Sequence, residues 1–133
     1  MNHSQIVELK KIIDPRGNLT VVEGQTELPF AIRRVYWVYD VPGGEHRGGH
    51  AHKRCQELLV AVSGSFSVTL DDGRARRTFL LNHPYQGLLI PENTWRTLDD
   101  FSSGAVCLVI ASEPFDEDDY IRDYDEYLAY ANV

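Results

Sequence analysis

Long apolar runs are missing from this sequence of 133 residues. No stretch approaches the ~20 consecutive apolar residues that a membrane-spanning helix needs, so no membrane partner is expected. Cysteine is scarce as well. Cys55 and Cys107 are the only two, and their separation is not that of a ligand pair. The N-terminus, MNHSQIVELKKII, lacks the basic-then-apolar layout of a secretory signal. With two isolated thiols, that gives the expectation of a cytoplasmic protein. Positive charge is in deficit, 13 Lys and Arg against 20 Asp and Glu for a net charge of −7. Such a balance argues against nucleic acid as a partner. Repeats, low-complexity tracts and linkers are absent too, which leaves a single domain over 1–133.

What is present is 43% hydrophobic residues, enough for a real core, arranged almost throughout as short β-branched and aromatic segments between turn residues. Strands are expected near Ile6–Ile13, Leu19–Glu23, Ile32–Tyr39, Glu57–Val62, Phe66–Leu70, Arg76–Leu81, Leu88–Ile90, Thr94–Leu98 and Val106–Ala111. Asp14-Pro15-Arg16-Gly17 and Asp71-Asp72-Gly73 read as turns by composition. Helical spacing occurs only in the tail, Asp119–Ala131, where Tyr120, Tyr124, Tyr127 and Leu128 repeat at that period. Many short strands at regular spacing predict an all-β sandwich or small barrel with a short C-terminal helix. The acids concentrate late, from Glu113 to Glu126, and the arginines earlier. Converging arginines would let an acidic protein bind an anion.

From Gly44 to Gly64 the chain reads GEHRGGHAHKRCQELLVAVSG. This resembles the first cupin motif, with Gly44, His50, His52, Glu57 and Gly64 all on register. Residues two apart on a strand share a face, so His50 and His52 should point into one space, roughly 7 Å apart at Cα. The second motif, GLLIPENTWRT from Gly87 to Thr97, keeps Pro91 but has Asn93 for the usual glycine. It also has Arg96 where a histidine normally completes a metal site. A guanidinium stays charged and cannot coordinate, and it would repel a cation across a short gap. No metal is therefore expected. Two imidazoles and an arginine suit acid–base work instead: a neutral histidine can take a proton near pH 7, and the arginine can steady the oxyanion that results.

Five stretches, KIIDPRGNL, PFAIRRVYWVYDV, HRGGHAHK, DDG and DDYIRDYDEY, are together similar to the WxcM-like, FdtA-type sugar-nucleotide 3,4-ketoisomerases within the RmlC-like cupins. The similarity runs over essentially the whole chain. It implies a cupin jelly-roll barrel. It also implies a dTDP-linked 4-keto-6-deoxyhexose substrate and a 3-keto product made on the way to 3-amino-3,6-dideoxy sugars of surface polysaccharides. No cofactor is implied, and the assembly would be a homodimer with exchanged N-terminal strands. His50 and His52 would both lie in the active site. Arg47 falls on the arginine of the HAHK stretch and Tyr36 on the tyrosine of RRVY. The family is mixed at the positions of Arg16 and Arg96, so these two are expected beside the hexose, with an influence on C4 stereochemistry.

The reaction would begin by proton abstraction at C3, alpha to the C4 ketone. Either histidine could be the carbon base, with His50 favoured. Glu57 would orient a neighbouring histidine or arginine, or be purely structural. Arg34, Arg47 and Arg122 are candidates to clamp a diphosphate, against the plainer reading of surface ion pairs. Tyr36 and Trp95 are candidates to stack on the base or line the sugar pocket, although aromatics in a barrel are often core. His46, in a Gly-rich loop, reads as a solvated loop histidine ahead of a functional one, and His3 and His83 carry no functional case. Two other classes compete: a metal-dependent cupin isomerase or dioxygenase, and a non-catalytic sugar-binding cupin.

Overall fold

A computed structural model of the chain describes residues 5–132; His3 lies outside them. In chain order the strands are β1 (Gln5–Glu8), β2 (Lys10–Ile12), β3 (Leu19–Val21), β4 (Arg34–Val38), β5 (Arg47–His52), β6 (Glu57–Ser63), β7 (Phe66–Asp71), β8 (Arg76–Leu81), β9 (Gln86–Ile90), β10 (Trp95–Asp99), β11 (Val106–Ala111) and β12 (Tyr120–Ile121). A 3-10 turn at Glu117–Asp119 precedes β12, and one helix, α1 (Tyr124–Ala131), follows it. Two five-stranded sheets form, ordered β1-β9-β6-β11-β4 and β12-β5-β10-β7-β8, and β2 and β3 make a separate hairpin. The ladders are antiparallel. This is the expected jelly roll.

The apolar patterning explains how the two sheets close. On β7 the two faces alternate cleanly: the even-numbered Phe66, Val68 and Leu70 are buried and Ser67 and Thr69 only half so. They pack between the sheets against Leu59, Leu81, Leu88 and Ile90. β6 is instead a continuous apolar run because both its faces are covered. Leu59 and Ala61 enter the inter-sheet core. Leu58 and Val60 face outward, under Leu9, Leu28 and Phe30 of the N-terminal segment. The β6–β7 turn requires Gly64, whose φ is +65° and where a Cβ would lie 2.5 Å from Ser102 Oγ and 2.8 Å from Ala105 Cα. At the β9–β10 turn Asn93 takes φ 58°, a conformation that asparagine tolerates better than most residues. Its N–H donates to the His52 carbonyl at 2.7 Å.

Two expectations need correcting. The single strand over Ile6–Ile13 is broken at Leu9, which turns inward into the core and donates its N–H to the Tyr85 carbonyl at 2.8 Å. β1 then pairs with β9, while β2 turns away to pair with β3. In the tail, helix begins only at Tyr124, because Asp123 caps it by accepting the Glu126 N–H. Tyr120 and Ile121 are extended instead, paired with His52 and Ala51 of β5.

Candidate active site

Between the β4 edge of one sheet and the β5–β12 edge of the other opens a cavity of about 240 Å³. β4 supplies Tyr36 and Val38, β5 supplies Arg47, Gly49 and His50, and β6 supplies Glu57 and Leu59. Arg96 and Leu98 come from β10, and Tyr120 and Arg122 from β12 and the residues just after it. The sets follow the two-residue period of a strand except on β5, where Gly49 and His50 are adjacent and the register against β10 shifts. The spacing argument for His50 and His52 holds: their Nε2 atoms are 3.2 Å apart and the rings meet edge to face. Their situations differ, however. His50 lines the cavity, whereas His52 is fully buried behind it, 0% exposed. The Tyr120 ring lies over both, 4.4 Å from the His52 centroid and 5.2 Å from that of His50.

Burial is the main force on His52, followed by the charges of Arg96, Arg34 and Arg122, and together they lower its pKa to about 2. The imidazole is thus neutral at working pH. The Asp119 carboxylate, 2.9 Å from Nδ1, pulls the other way, but it accepts Nδ1–H from the neutral ring just as well. Asp119 is itself held from the backbone: Oδ1 accepts the Arg54 N–H at 2.6 Å and Oδ2 the Cys55 N–H at 3.3 Å.

On the opposite wall Glu57 accepts the Tyr36 hydroxyl at 2.7 Å and Arg96 Nη1 at 2.5 Å. Arg96 also donates Nη2–H to the Thr94 carbonyl at 3.1 Å. Burial, then the neighbouring Glu57, drives the Tyr36 pKa upward, so its hydroxyl stays protonated. The Arg34 guanidinium sits 4.0 Å from Glu57 Oε2 and over the Tyr36 ring at 5.2 Å. Nε of Arg34 and Nε of Arg96 are buried without a hydrogen-bond partner, which in a native site asks for an explanation.

His50, His52 and Glu57 bring their ligand atoms within 4.8 Å of one another, the corner where a cupin metal would bind. The donor set does not fit a divalent cation. Arg96 holds the carboxylate, its guanidinium brings a fixed positive charge to that corner, and the two Nε2 atoms face each other.

Several site expectations are altered by this geometry. Trp95 does not line this cavity but a second one of about 160 Å³, with Thr69, Asp71, Arg76, Thr97 and Tyr124. It packs against Tyr124 and Tyr127, 5.3 and 5.7 Å between centroids, and is buried beneath α1. Its neighbour Arg96 faces the cavity, so Trp95 must face the other side of β10. Arg16 lies at the β2–β3 turn, ion-paired to Asp14 and 90% exposed in its side chain, off the cavity lining of its own chain. Arg122 does line the cavity, with its guanidinium on Glu117 through two bonds of 2.8 and 3.0 Å. Arg34 stands beside Glu57 and is not among the residues that line the cavity. Two residues that the sequence reading left unassigned, Asp119 and Tyr120, are in direct contact with the imidazoles.

Comparison with known proteins shows the family of the chain. The family described as FdtA, WxcM-like, C-terminal, matches residues 2–132. The TDP-4-oxo-6-deoxy-alpha-D-glucose-3,4-oxoisomerase of Aneurinibacillus thermoaerophilus is 43% identical over 127 residues, 96% of this chain and 91% of that one. A 3,4-ketoisomerase from Helicobacter canadensis superposes with TM-score 0.96 at 41% identity, covering 98% of both chains. A mutant of the 3,4-ketoisomerase QdtA from Thermoanaerobacterium thermosaccharolyticum, solved in complex with TDP-4-keto-6-deoxyglucose, gives TM-score 0.96 at 38% identity. That match covers 99% of this chain and 96% of the other.

Proposed function

Because the chain belongs to the FdtA, WxcM-like C-terminal family, we propose that it is a sugar-nucleotide 3,4-ketoisomerase acting on TDP-4-keto-6-deoxyglucose. The observation that carries the reading is the histidine pair: one imidazole on the cavity wall, backed at 3.2 Å by a second that is buried and neutral.

His50 takes the proton from C3, which is acidified by the adjacent C4 ketone. The electron pair moves toward the C4 oxygen and an enediolate forms. The proton on the C3 oxygen passes to the C4 oxygen, and the imidazolium of His50, its N–H exchanged with solvent, delivers a proton to C4, leaving the carbonyl at C3. Electrons and protons balance without a redox partner. Arg96, fixed by Glu57, brings positive charge to the cavity where the enediolate develops. The partnerless Nε–H groups of Arg96 and Arg34 are suited to oxygens of the substrate. Arg47 and Arg122 stand on the cavity lining as the cations for the diphosphate. The 3-keto product is what an aminotransferase needs to place nitrogen at C3, in keeping with a 3-amino-3,6-dideoxy sugar.

The active species in this reading is a homodimer. β4 is an open sheet edge, and Val35, Trp37 and Tyr39 lie exposed along it, Trp37 at 58%. The β2–β3 hairpin is unpaired to either large sheet and exposes Ile12, Ile13 and Leu19, Ile13 at 77%. Open edges and apolar patches of this kind are covered in stable proteins. A second copy that exchanges the N-terminal hairpin covers both at once, and it is also the route by which Arg16 would approach a hexose, across the interface. Light scattering should give a mass near twice 15.1 kDa; a monomer at micromolar concentration overturns the dimer.

The reaction itself is tested by incubating the protein with TDP-4-keto-6-deoxyglucose in deuterium oxide and reading the ring protons by NMR. A 3-keto product carrying deuterium at C4 is expected. Binding without turnover, or turnover only with added metal, would favour the competing cupin classes and sink the proposal.

A further inference from the structure

Asp119 lies 67 residues from His52 in sequence, yet it is the residue that meets His52 on the side away from the cavity, with Oδ2 2.9 Å from Nδ1. It is 2% exposed, and its two oxygens are oriented by three donors: the Arg54 and Cys55 N–H groups and the His52 ring. A carboxylate accepts only, so His52 must carry its proton on Nδ1. Being neutral, the ring then presents a lone pair at Nε2. Across the 3.2 Å gap, His50 Nε2 must therefore be the donor, and the basic lone pair of His50 sits on its Nδ1.

We infer that Asp119 is a positioning residue for the isomerisation: through His52 it sets the tautomers of both imidazoles. This rests on the assignment of His50 as carbon base made above. When His50 accepts the substrate proton it becomes an imidazolium, and its Nε2–H already points at a neutral acceptor anchored by a buried carboxylate. No proton leaves His50 for His52, and none is passed on to Asp119. The charge is steadied by a hydrogen-bonded chain in place before the reaction begins. The 3-10 turn and β12 bring this about, since Asp119 ends the turn and Tyr120 pairs with His52. The same short segment thus supports His52 at its back, through the carboxylate, and at its face, through the Tyr120 ring.

Asp119→Asn isolates this role. An amide has one acceptor, and the shortest contact is with the Arg54 N–H at 2.6 Å. If the amide oxygen stays there, the NH₂ group faces His52 Nδ1 and forces the proton to Nε2. That in turn makes His50 Nε2 the acceptor and moves its own proton to Nδ1. The experiment is long-range ¹H–¹⁵N correlation of histidine-labelled protein at pH 7.5, alongside steady-state kinetics with TDP-4-keto-6-deoxyglucose. In the wild type we expect the Nδ1–H form for His52 and the Nε2–H form for His50. In Asp119→Asn both should invert, and kcat should fall about 10²–10⁴-fold, as wrong-tautomer variants of histidine-dependent enzymes do, with KM within about threefold. Wild-type spectra showing His52 protonated at Nε2 overturn the inference whether or not the variant folds. So does a variant that loses activity with tautomers unchanged, or one that inverts them and keeps kcat. A wild-type protein with the expected tautomers and no turnover of this substrate would count against the proposed function instead, leaving the Asp119 contact in place.

Discussion

Glu57 and Arg96 are each 1% exposed and are joined at 2.5 Å, which makes their removal a sharp test of how the cavity wall is held. Replacing Glu57 by leucine leaves the Arg96 guanidinium buried, with the Thr94 carbonyl as its remaining partner. Breaking a buried pair by deleting one member costs about 3–5 kcal/mol, because the other charge stays desolvated and uncompensated. For a chain of this length that amounts to a fall in Tm on the order of 10–20 °C. Arg96→Met should cost less, since the Glu57 carboxylate keeps the Tyr36 hydroxyl and has Arg34 4.0 Å away. The double variant should be more stable than Glu57→Leu alone, with a coupling of at least about 2 kcal/mol, because an apolar pair of similar volume needs no charge compensation. Urea denaturation at fixed protein concentration measures all four proteins, with Trp95, buried against α1, as the fluorescent reporter. If Glu57→Leu lies within about 1 kcal/mol of wild type, or the two changes add within about 0.5 kcal/mol, the pair is not the electrostatic unit described here.

Three further outcomes are expected. His50→Asn should lower kcat by about 10²–10⁴ with nucleotide affinity retained, and adding His52→Asn should cost less than the product of the single losses, because the rings act together; near wild-type turnover by His50→Asn reduces that residue to a pocket lining. Prolonged chelation should leave activity essentially intact, and loss that Mn, Fe or Zn restores would show that a cation does occupy the His50–His52–Glu57 corner. Stability should be independent of His52 above its unfolded pKa near 6.5 and fall as pH drops below that value, because the unfolded ring then binds a proton that the folded ring, depressed to about 2, refuses. The slope from this residue is at most about 1.4 kcal/mol per pH unit. His52→Asn should flatten the profile between pH 6.5 and 4.5, and superimposable profiles would refute the assignment.

The legible parts of the site are those governed by short-range periodicity. His50 and His52 are two apart on β5, so they had to share a face, and Arg96 followed from its place in the second motif. Arg34, Tyr36 and Val38 alternate with the exposed Val35 and Trp37 on β4 in the same way. Strand parity also separates Trp95 from the cavity that Arg96 lines. Once Arg96 faces the cavity, its neighbour must face away, and here it serves the seat of α1. Asp119 and Tyr120 were not legible in this way. The tail carries helical spacing and many acids, and nothing local distinguishes the carboxylate that will be buried 67 residues away in sequence from those that stay in water. Pairing of Tyr120 with His52 is a tertiary choice that overrides the weak helical pattern. The break at Leu9 is of the same kind, decided by the core between Leu58 and Phe30.

Arginine at the fourth cupin corner has consequences beyond displacing a ligand. Its Nη1 engages Glu57, so the carboxylate that would otherwise complete a metal site is neutralised and turned toward the Tyr36 side of the cavity. Glu57 Oε2 remains 3.6 Å from His52 Nε2, longer than a hydrogen bond, so Glu57 does not compete with His50 for that nitrogen. The guanidinium charge is also one of the causes, after burial, that keep His52 neutral, and neutrality is what leaves Nε2 able to accept from His50. A histidine at this position would bring neither the charge that suppresses His52 protonation nor the donor that occupies Glu57. The same scaffold would then offer three imidazoles and a carboxylate, a set with the composition of a metal centre. The acid–base pair is thus a product of Arg96 as much as of the two histidines, and this is why Arg96→His should gain affinity for a divalent cation while Arg96→Met should not, a difference that calorimetric titration with Zn²⁺ or Mn²⁺ resolves directly. Equal behaviour of the two variants would mean that the corner is closed to metal by something other than its charge.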